Sequence, residues 1–473
     1  MQDTFQRSER LYFLPIGGTA MATLAGLLQA EGHRVEGVDS QLYPPMSDLL
    51  EALGIPVRLG WDPDAMPQGI DRVVIGNAVP RTNPEVRAVL ERGLPYVSQA
   101  EAVARYLLGE RRSLVVAGTH GKTTTTAMLG WILERAGTDP TLFVGGLLPW
   151  SRRSFRHGRG PYLVIEGDEY NTAFFDRSPK FVHYRPWTFL LGPVEFDHGD
   201  IYADEDAVVA AFRAGTARVP GDGLIVVDGA SPRALEACRD AAAPVVRVGE
   251  GAENDARIGA MDLSEGGSLW SLEWERHRLD LSLPLPGRHN LANASRAAVA
   301  ALAAGVGPEA VAAALAAFPG VVRRLEIVGE AAGITVVDDF AHHPTALRAT
   351  VEAARQRWPD RRIVIAFEPR SLTAGRSLFQ EAYAAALTGA DVVLVAPVHH
   401  RDRIPEEERL DRGRLGRELE AAGVVAVIPE DGEDPVAALQ PVLQPGDVMI
   451  GCSSGDFGGF HRRLLERIGD MGR

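Results

Sequence analysis

Lysine is nearly missing from this 473-residue chain: of 49 Lys and Arg residues, only Lys122 and Lys180 are lysines. Arginine is the default cation, so a lysine kept inside a glycine- and threonine-rich turn marks a place that wants a compact ammonium and not a planar guanidinium. Cysteine is equally scarce. Cys238 and Cys452 stand far apart and in no metal-ligand spacing, which gives no support to a disulfide framework or a zinc site and suits a reducing cytosol. Excess positive charge is also lacking, and the formal net charge of -14 speaks against non-specific binding of nucleic acid or anionic membrane. No apolar run is long enough to span a bilayer, and Met1–Arg10 is polar and charged, unlike a signal peptide. A cytoplasmic location without membrane insertion is therefore expected. What is present, 45% hydrophobic and 24% charged residues, is ordinary globular composition. The length suits three domains at about 150 residues each.

The apolar run Leu11–Ile16, the turn Gly17-Gly18-Thr19 and apolar positions Met21, Leu24, Leu27 and Leu28 predict strand, turn and helix. Further strands are predicted at Arg34–Val38, ending at Asp39, and at Val73–Gly76, a βαβ layout with a glycine turn at a strand's carboxyl end. With Pro15 in place of an opening glycine, this turn reads either as a nucleotide site or as a structural tight turn. A second unit opens near Ser113 with Leu114–Ala117, runs through Gly118–Thr124 into a helix, and has buried strands at Tyr162–Ile165 and Thr188–Leu191. Ala-rich Asn293–Phe318 reads as two helices broken at Gly305–Pro308. Strands at Ile334–Val337, Ile363–Phe367, Val392–Ala396 and Val448–Ile450 form a third unit. The fold class is thus α/β: three domains on mostly parallel sheets, Rossmann-like, ATPase-like and Rossmann-like, with expected bounds 1–110, 111–320 and 321–473.

Gly118-Thr119-His120-Gly121-Lys122-Thr123-Thr124 is the strongest local signal. A glycine-rich turn between strand and helix exposes backbone N–H groups, the helix N-terminus adds positive potential, Lys122 reaches terminal phosphates and the Thr123 hydroxyl suits Mg²⁺. Val116 stands where the usual spacing has a glycine, so the loop is a shortened variant. It implies a nucleoside triphosphate and no particular reaction. Glu166 and His198 follow predicted strands; a carboxylate suits hard Mg²⁺, and histidine is an unusual ligand for it. Arg323-Arg324, just past the second boundary, reads as a γ-phosphate clamp or as a staple of the interdomain surface.

These segments resemble the Mur ligases. Gly118–Thr124, Glu166–Glu169, Glu195–His198, Gly287–Asn290 with Asn293, Arg324, and Asp338-Asp339 with His342–Thr345 follow that family's order over nearly the whole chain. The segments Tyr43–Ser47, Arg177-Ser178, Lys180–Tyr184 and Glu368–Ser371 resemble the branch that joins UDP-N-acetylmuramate to the murein tripeptide L-alanyl-γ-D-glutamyl-meso-diaminopimelate in peptidoglycan recycling. The L-alanine-accepting branch shares them less closely. The resemblance implies ATP as substrate, Mg²⁺, and an acyl phosphate intermediate. It implies catalytic roles for Lys122, Glu166, His198 and Arg324, with Thr123, Glu166 and His198 near metal. ATP would lie against Gly118, Thr119, His120, Gly121, Lys122, Thr123, Thr124, Asn290, Asn293, Arg324 and Asp339. Gly17, Gly18, Thr19 and Asp39 would hold the UDP portion, and His343, Arg370 and Ser371 the peptide. The chain departs from the family at Pro15, Asn171 and Gly192-Pro193, and no lysine follows His198.

Overall fold

The computed structural model describes residues 8–197, 199 and 201–471. Three sheets follow one another along the chain. In the first, five parallel strands take the order Val57–Leu59, Arg34–Asp39, Arg10–Leu14, Arg72–Ile75 and Tyr96–Ser98. Leu11 to Leu14 are all buried, as a strand covered on both faces requires. The chain leaves this strand into helix Thr19–Ala30, capped at Gly18.

The middle sheet has ten strands. Its centre is parallel, with Pro186–Leu191, Arg112–Ala117 and Tyr162–Glu166 side by side, so the segments after these three strands emerge at one edge. Its flanks are antiparallel: a meander Ala256–Ser264, Gly267–Trp274 and His277–Leu283 on one side, and Thr141–Leu148 with Arg153–Arg156 on the other. These flanks go beyond the parallel core read from the sequence. Helices Arg288–Ala303 and Pro308–Ala316 take the place of the expected helical pair.

The third sheet runs Glu326–Ala331, Ile334–Asp339, Val448–Cys452, Ile363–Phe367, Val392–Val395 and Val425–Val427, parallel except for its first pair. The three units are joined unequally. One continuous apolar core links the first and middle sheets, from Leu11 and Leu24 to Phe143 and Phe155. At that junction a side chain at Gly26 would lie 2.3 Å from the Phe155 ring, and Thr23 shares a buried 2.5 Å hydrogen bond with Ser154. The third sheet has separate apolar cores on its two faces. It meets the middle sheet through polar contacts such as Gln356 Oε1, which accepts from the Gly287 N–H at 2.8 Å.

Candidate active site

The turn after strand Arg112–Ala117 is held open by backbone that only glycine tolerates. Gly118 has φ +125° and Gly121 φ +79°. A Cβ at Gly118 would stand 2.9 Å from the Gly192 Cα, and one at Gly121 would stand 2.6 Å from the Asn293 Oδ1. Gly192-Pro193, a departure from the family pattern, is thereby part of the turn: the Thr119 N–H donates to the Pro193 carbonyl at 2.8 Å. Helix Lys122–Arg135 then starts with its N–H groups turned to a cavity of about 570 Å³.

Residues of all three units line this cavity: Thr19 from the first, Thr119–Thr124, Glu166, Asn290 and Asn293 from the middle, and Arg324, Asp339, His343 and Ser371 from the third. Lys122 Nζ lies back over the turn, 2.8 Å from the Gly118 carbonyl and 2.9 Å from a Glu169 oxygen. Burial disfavours its charge, but Glu169, Asp168 and Glu166 outweigh that and raise its pKa. The second lysine, Lys180, is buried and pairs with Asp168 at 3.1 Å, an oxygen that also accepts from the Tyr170 hydroxyl at 2.7 Å. Both lysines of the chain thus converge on one acidic segment. Sequence spacing did not single out this pairing, although lysine scarcity pointed at its two members.

Glu166 ends strand Tyr162–Glu166 and accepts from the Thr123 hydroxyl at 3.1 Å and from the Gly145 N–H. Burial, followed by the nearby Asp168 charge, pushes its pKa up to about 7. A carboxylate desolvated beside another carboxylate and next to a hydroxyl oxygen fits a hard divalent cation such as Mg²⁺. His198, the other expected metal ligand, lies outside the described residues.

The paired arginines divide. Arg323 and Leu325, on either side of Arg324, both have positive φ, +61° and +47°. Such backbone costs about 1–3 kcal/mol per residue and is found at functional turns. Arg323 pins the third unit, pairing with Asp338 at 3.0 Å and donating to the Ser453 carbonyl at 3.0 Å. Arg324 lines the cavity, its guanidinium 5.0 Å from the Phe340 ring centroid. Asp339 also borders the cavity, but its oxygens accept from the N–H groups of Leu325 and Ala341, each at 2.8 Å, and from the Thr350 hydroxyl at 3.1 Å. Asn290 donates to the Pro286 carbonyl at 2.7 Å, and Asn293 accepts from Arg296 at 2.6 Å. His289, on the same wall, has its pKa lowered to about 4 by burial and by Arg324.

The remaining expected residues sit farther out. Of the first glycine turn, Thr19 reaches the cavity, whereas Gly17 and Gly18 do not line it. The Gly17 N–H donates to Asp39 at 2.8 Å, so this carboxylate holds the turn in shape. Ser371 lines the cavity and caps the following turn by accepting from the Ala374 N–H at 3.0 Å. Arg370 stands beside Glu368 at 3.6 Å and Asp456 at 3.4 Å, outside the lining. Between the phosphate turn and the third unit, Glu195 accepts from the Thr345 hydroxyl at 2.7 Å and lies 3.0 Å from His120 and 3.5 Å from His343.

Three family models match along the chain: the Mur ligase family catalytic domain over residues 10–111, the Mur ligase middle domain over 116–302, and the Mur ligase glutamate ligase domain over 323–455. A relative from Escherichia coli strain K12, UDP-N-acetylmuramate--L-alanyl-gamma-D-glutamyl-meso-2,6-diaminoheptandioate ligase, is 38% identical over 97% of this chain and 98% of its own. The UDP-N-acetylmuramate--L-alanine ligase of Paenarthrobacter aurescens is 36% identical over 97% of both chains. The crystal structure of a murein peptide ligase from Psychrobacter arcticus superposes with a TM-score of 0.75 at 32% identity, covering 98% of this chain and 99% of that one. Phosphate turn, three-sheet order and full-length likeness agree that the chain is an ATP-dependent enzyme of the Mur ligase family.

Proposed function

We propose that this Mur ligase joins the carboxylate of UDP-N-acetylmuramate to the amine of L-alanyl-γ-D-glutamyl-meso-diaminopimelate, in the cytoplasm and in the recycling of peptidoglycan. The observation that carries the reading is a single cavity bordered at once by the phosphate turn, by Thr19 of the first unit and by Ser371 of the third. Three ligands must meet there. The E. coli relative supports the tripeptide as acceptor, and the P. aurescens relative supports L-alanine as the second reading.

Carboxylate and amine are both ionised in water, so the carboxylate must first be given a leaving group. One of its oxygens attacks the γ-phosphorus of ATP, the bond from that phosphorus to the bridging oxygen breaks, and ADP departs with the electron pair. The ammonium of the acceptor first releases a proton to solvent. The freed amine nitrogen attacks the acyl carbon, the carbon–oxygen bond breaks so that phosphate departs with the electron pair, and the nitrogen's second proton passes to the departing phosphate or to solvent. In this chain Lys122 would exchange Glu169 for phosphate oxygens and remain paired throughout. Arg324 would neutralise charge on the transferred group from the opposite wall. Asn290 and Asn293 would lie at adenine and Asp339 at ribose. Gly17, Gly18, Thr19 and Asp39 would hold the UDP portion, and His343, Arg370 and Ser371 the peptide. Mg²⁺ held by Thr123 and Glu166, with His198 near a second ion, would screen the triphosphate charge. We take 1–110, 111–320 and 321–473 as the three domains.

The test is phosphate release from ATP, Mg²⁺ and UDP-N-acetylmuramate with either acceptor added. Release and an amide product with the tripeptide support the proposal. Release with L-alanine alone transfers the chain to the second reading.

A further inference from the structure

Asn290, Asn293 and Arg296 lie three residues apart on helix Arg288–Ala303, so they share one face, and all three line the cavity. Arg296 is 2% exposed and reaches two partners: Nη1 donates to Asp228 Oδ2 at 2.9 Å and Nη2 to Asn293 Oδ1 at 2.6 Å. Asp228, at the end of strand Leu224–Asp228, is fixed in turn by the Ala230 N–H at 3.0 Å. The Asn293 amide lies against Gly121 of the phosphate turn, where a Cβ would stand 2.6 Å from Oδ1 and 3.0 Å from Nδ2. The two ends of an amide are alike in size, so this contact holds the group without choosing between them. Arg296 does choose. A guanidinium only donates, so the end it meets is the oxygen. Asn290 is set in the opposite sense, because the Pro286 carbonyl only accepts and therefore meets the amide nitrogen, at 2.7 Å. Among the described residues no hydrogen bond reaches the other ends, Asn290 Oδ1 and Asn293 Nδ2.

We infer that Arg296, braced by Asp228, is a positioning residue for the nucleotide: it leaves the amide nitrogen of Asn293, and not the oxygen, free for a ligand. The site then shows a base an acceptor at Asn290 beside a donor at Asn293. A 6-aminopurine matches that pair, its amino group donating to Asn290 Oδ1 and the ring nitrogen next to it accepting from Asn293 Nδ2. A 6-oxopurine sets its oxygen against Asn290 Oδ1, and the mismatch leaves buried polar atoms unpaired. The inference rests on the proposed place of adenine at Asn290 and Asn293.

The test is calorimetric binding of ATP and of inosine triphosphate, which carries a 6-oxo group, to the full chain with Mg²⁺ and without acceptor. Wild type should favour ATP. Asp228→Asn/Arg296→Met removes both buried charges together and should cut that preference by about tenfold. It should do nothing further in an Asn293→Ala background, because Arg296 acts through that amide. Asn293→Asp keeps the pair with Arg296 and shows the nucleotide an oxygen, so it should weaken ATP by a similar factor even if the double variant fails to fold. No preference in the wild type, a preference unchanged in the double variant, an equal loss for both nucleotides, a loss that persists on Asn293→Ala, or ATP binding intact in Asn293→Asp overturns the role of Arg296. If Asn293→Ala itself leaves ATP binding unchanged, adenine does not lie there, and the inference falls together with that reading.

Discussion

The phosphate wall of the cavity and the proposed acceptor side next to it are built by different means. On the phosphate wall the shape is backbone: Gly118 lies against Gly192, Gly121 against Asn293, and neither contact has room for a methyl group. On the proposed acceptor side, beyond the cavity lining, the shape is side chain: Arg370 is 28% exposed and leans on Glu368 and Asp456 over distances longer than a good charge-assisted hydrogen bond. A triphosphate is the same in every turnover and rewards a rigid cradle. A peptide bound at Arg370, as proposed, would meet an arginine on an adjustable ion pair that can shift to receive it. The two sides should therefore fail differently when altered.

The largest expected effect is on the backbone wall. Lys122→Arg keeps the charge but brings a broad planar group to a turn that fits an ammonium between the Gly118 carbonyl and Glu169. Turnover should fall by about 10³-fold or more with thermal stability little changed; wild-type kcat in a single-turnover assay would remove the basis for the rigid cradle. Arg370→Ala should be milder and confined to one substrate. Losing a charged hydrogen bond of about 1.5–3 kcal/mol predicts a rise in the acceptor KM of about 10–100-fold, with the ATP KM unmoved. If both KM values rise together, the two sides are not independent.

The same contrast governs what the sequence made legible. Continuous apolar runs such as Leu114–Ala117 and Ile363–Phe367 announced buried parallel strands, and the phosphate turn followed from residue types at fixed short spacing. The meander Ala256–Leu283 did not stand out, because its two outer strands alternate buried with more exposed residues and it carries charges such as Arg257 and Glu273 that pair at 2.7 Å on the open face. Arg324, which lines the cavity, sits between left-handed backbone at Arg323 and Leu325, residues whose types do not favour it. Likewise the Lys122–Glu169 and Glu195–Thr345 contacts join positions 47 and 150 residues apart, so only the folded chain brings them together.

The smallest effect separates the two sides by pH. Glu166 has its folded pKa raised from 4.5 to about 7, chiefly by burial. The metal-free folded chain therefore binds a proton that the unfolded chain has already released. Its stabilising share is complete below 4.5 and is lost as pH rises through 7. Mg²⁺ must displace that same proton, so its affinity should rise through this window and be about tenfold greater at pH 8 than at pH 6. Calorimetric titration with Mg²⁺ at the two values reads this directly, and Glu166→Gln should flatten the dependence while weakening the ion. Acceptor contacts through a guanidinium keep their charge over the same range. A Mg²⁺ affinity equal at pH 6 and pH 8 would mean that the ion displaces no proton from Glu166, and the proposed placing of Mg²⁺ at that carboxylate would fail.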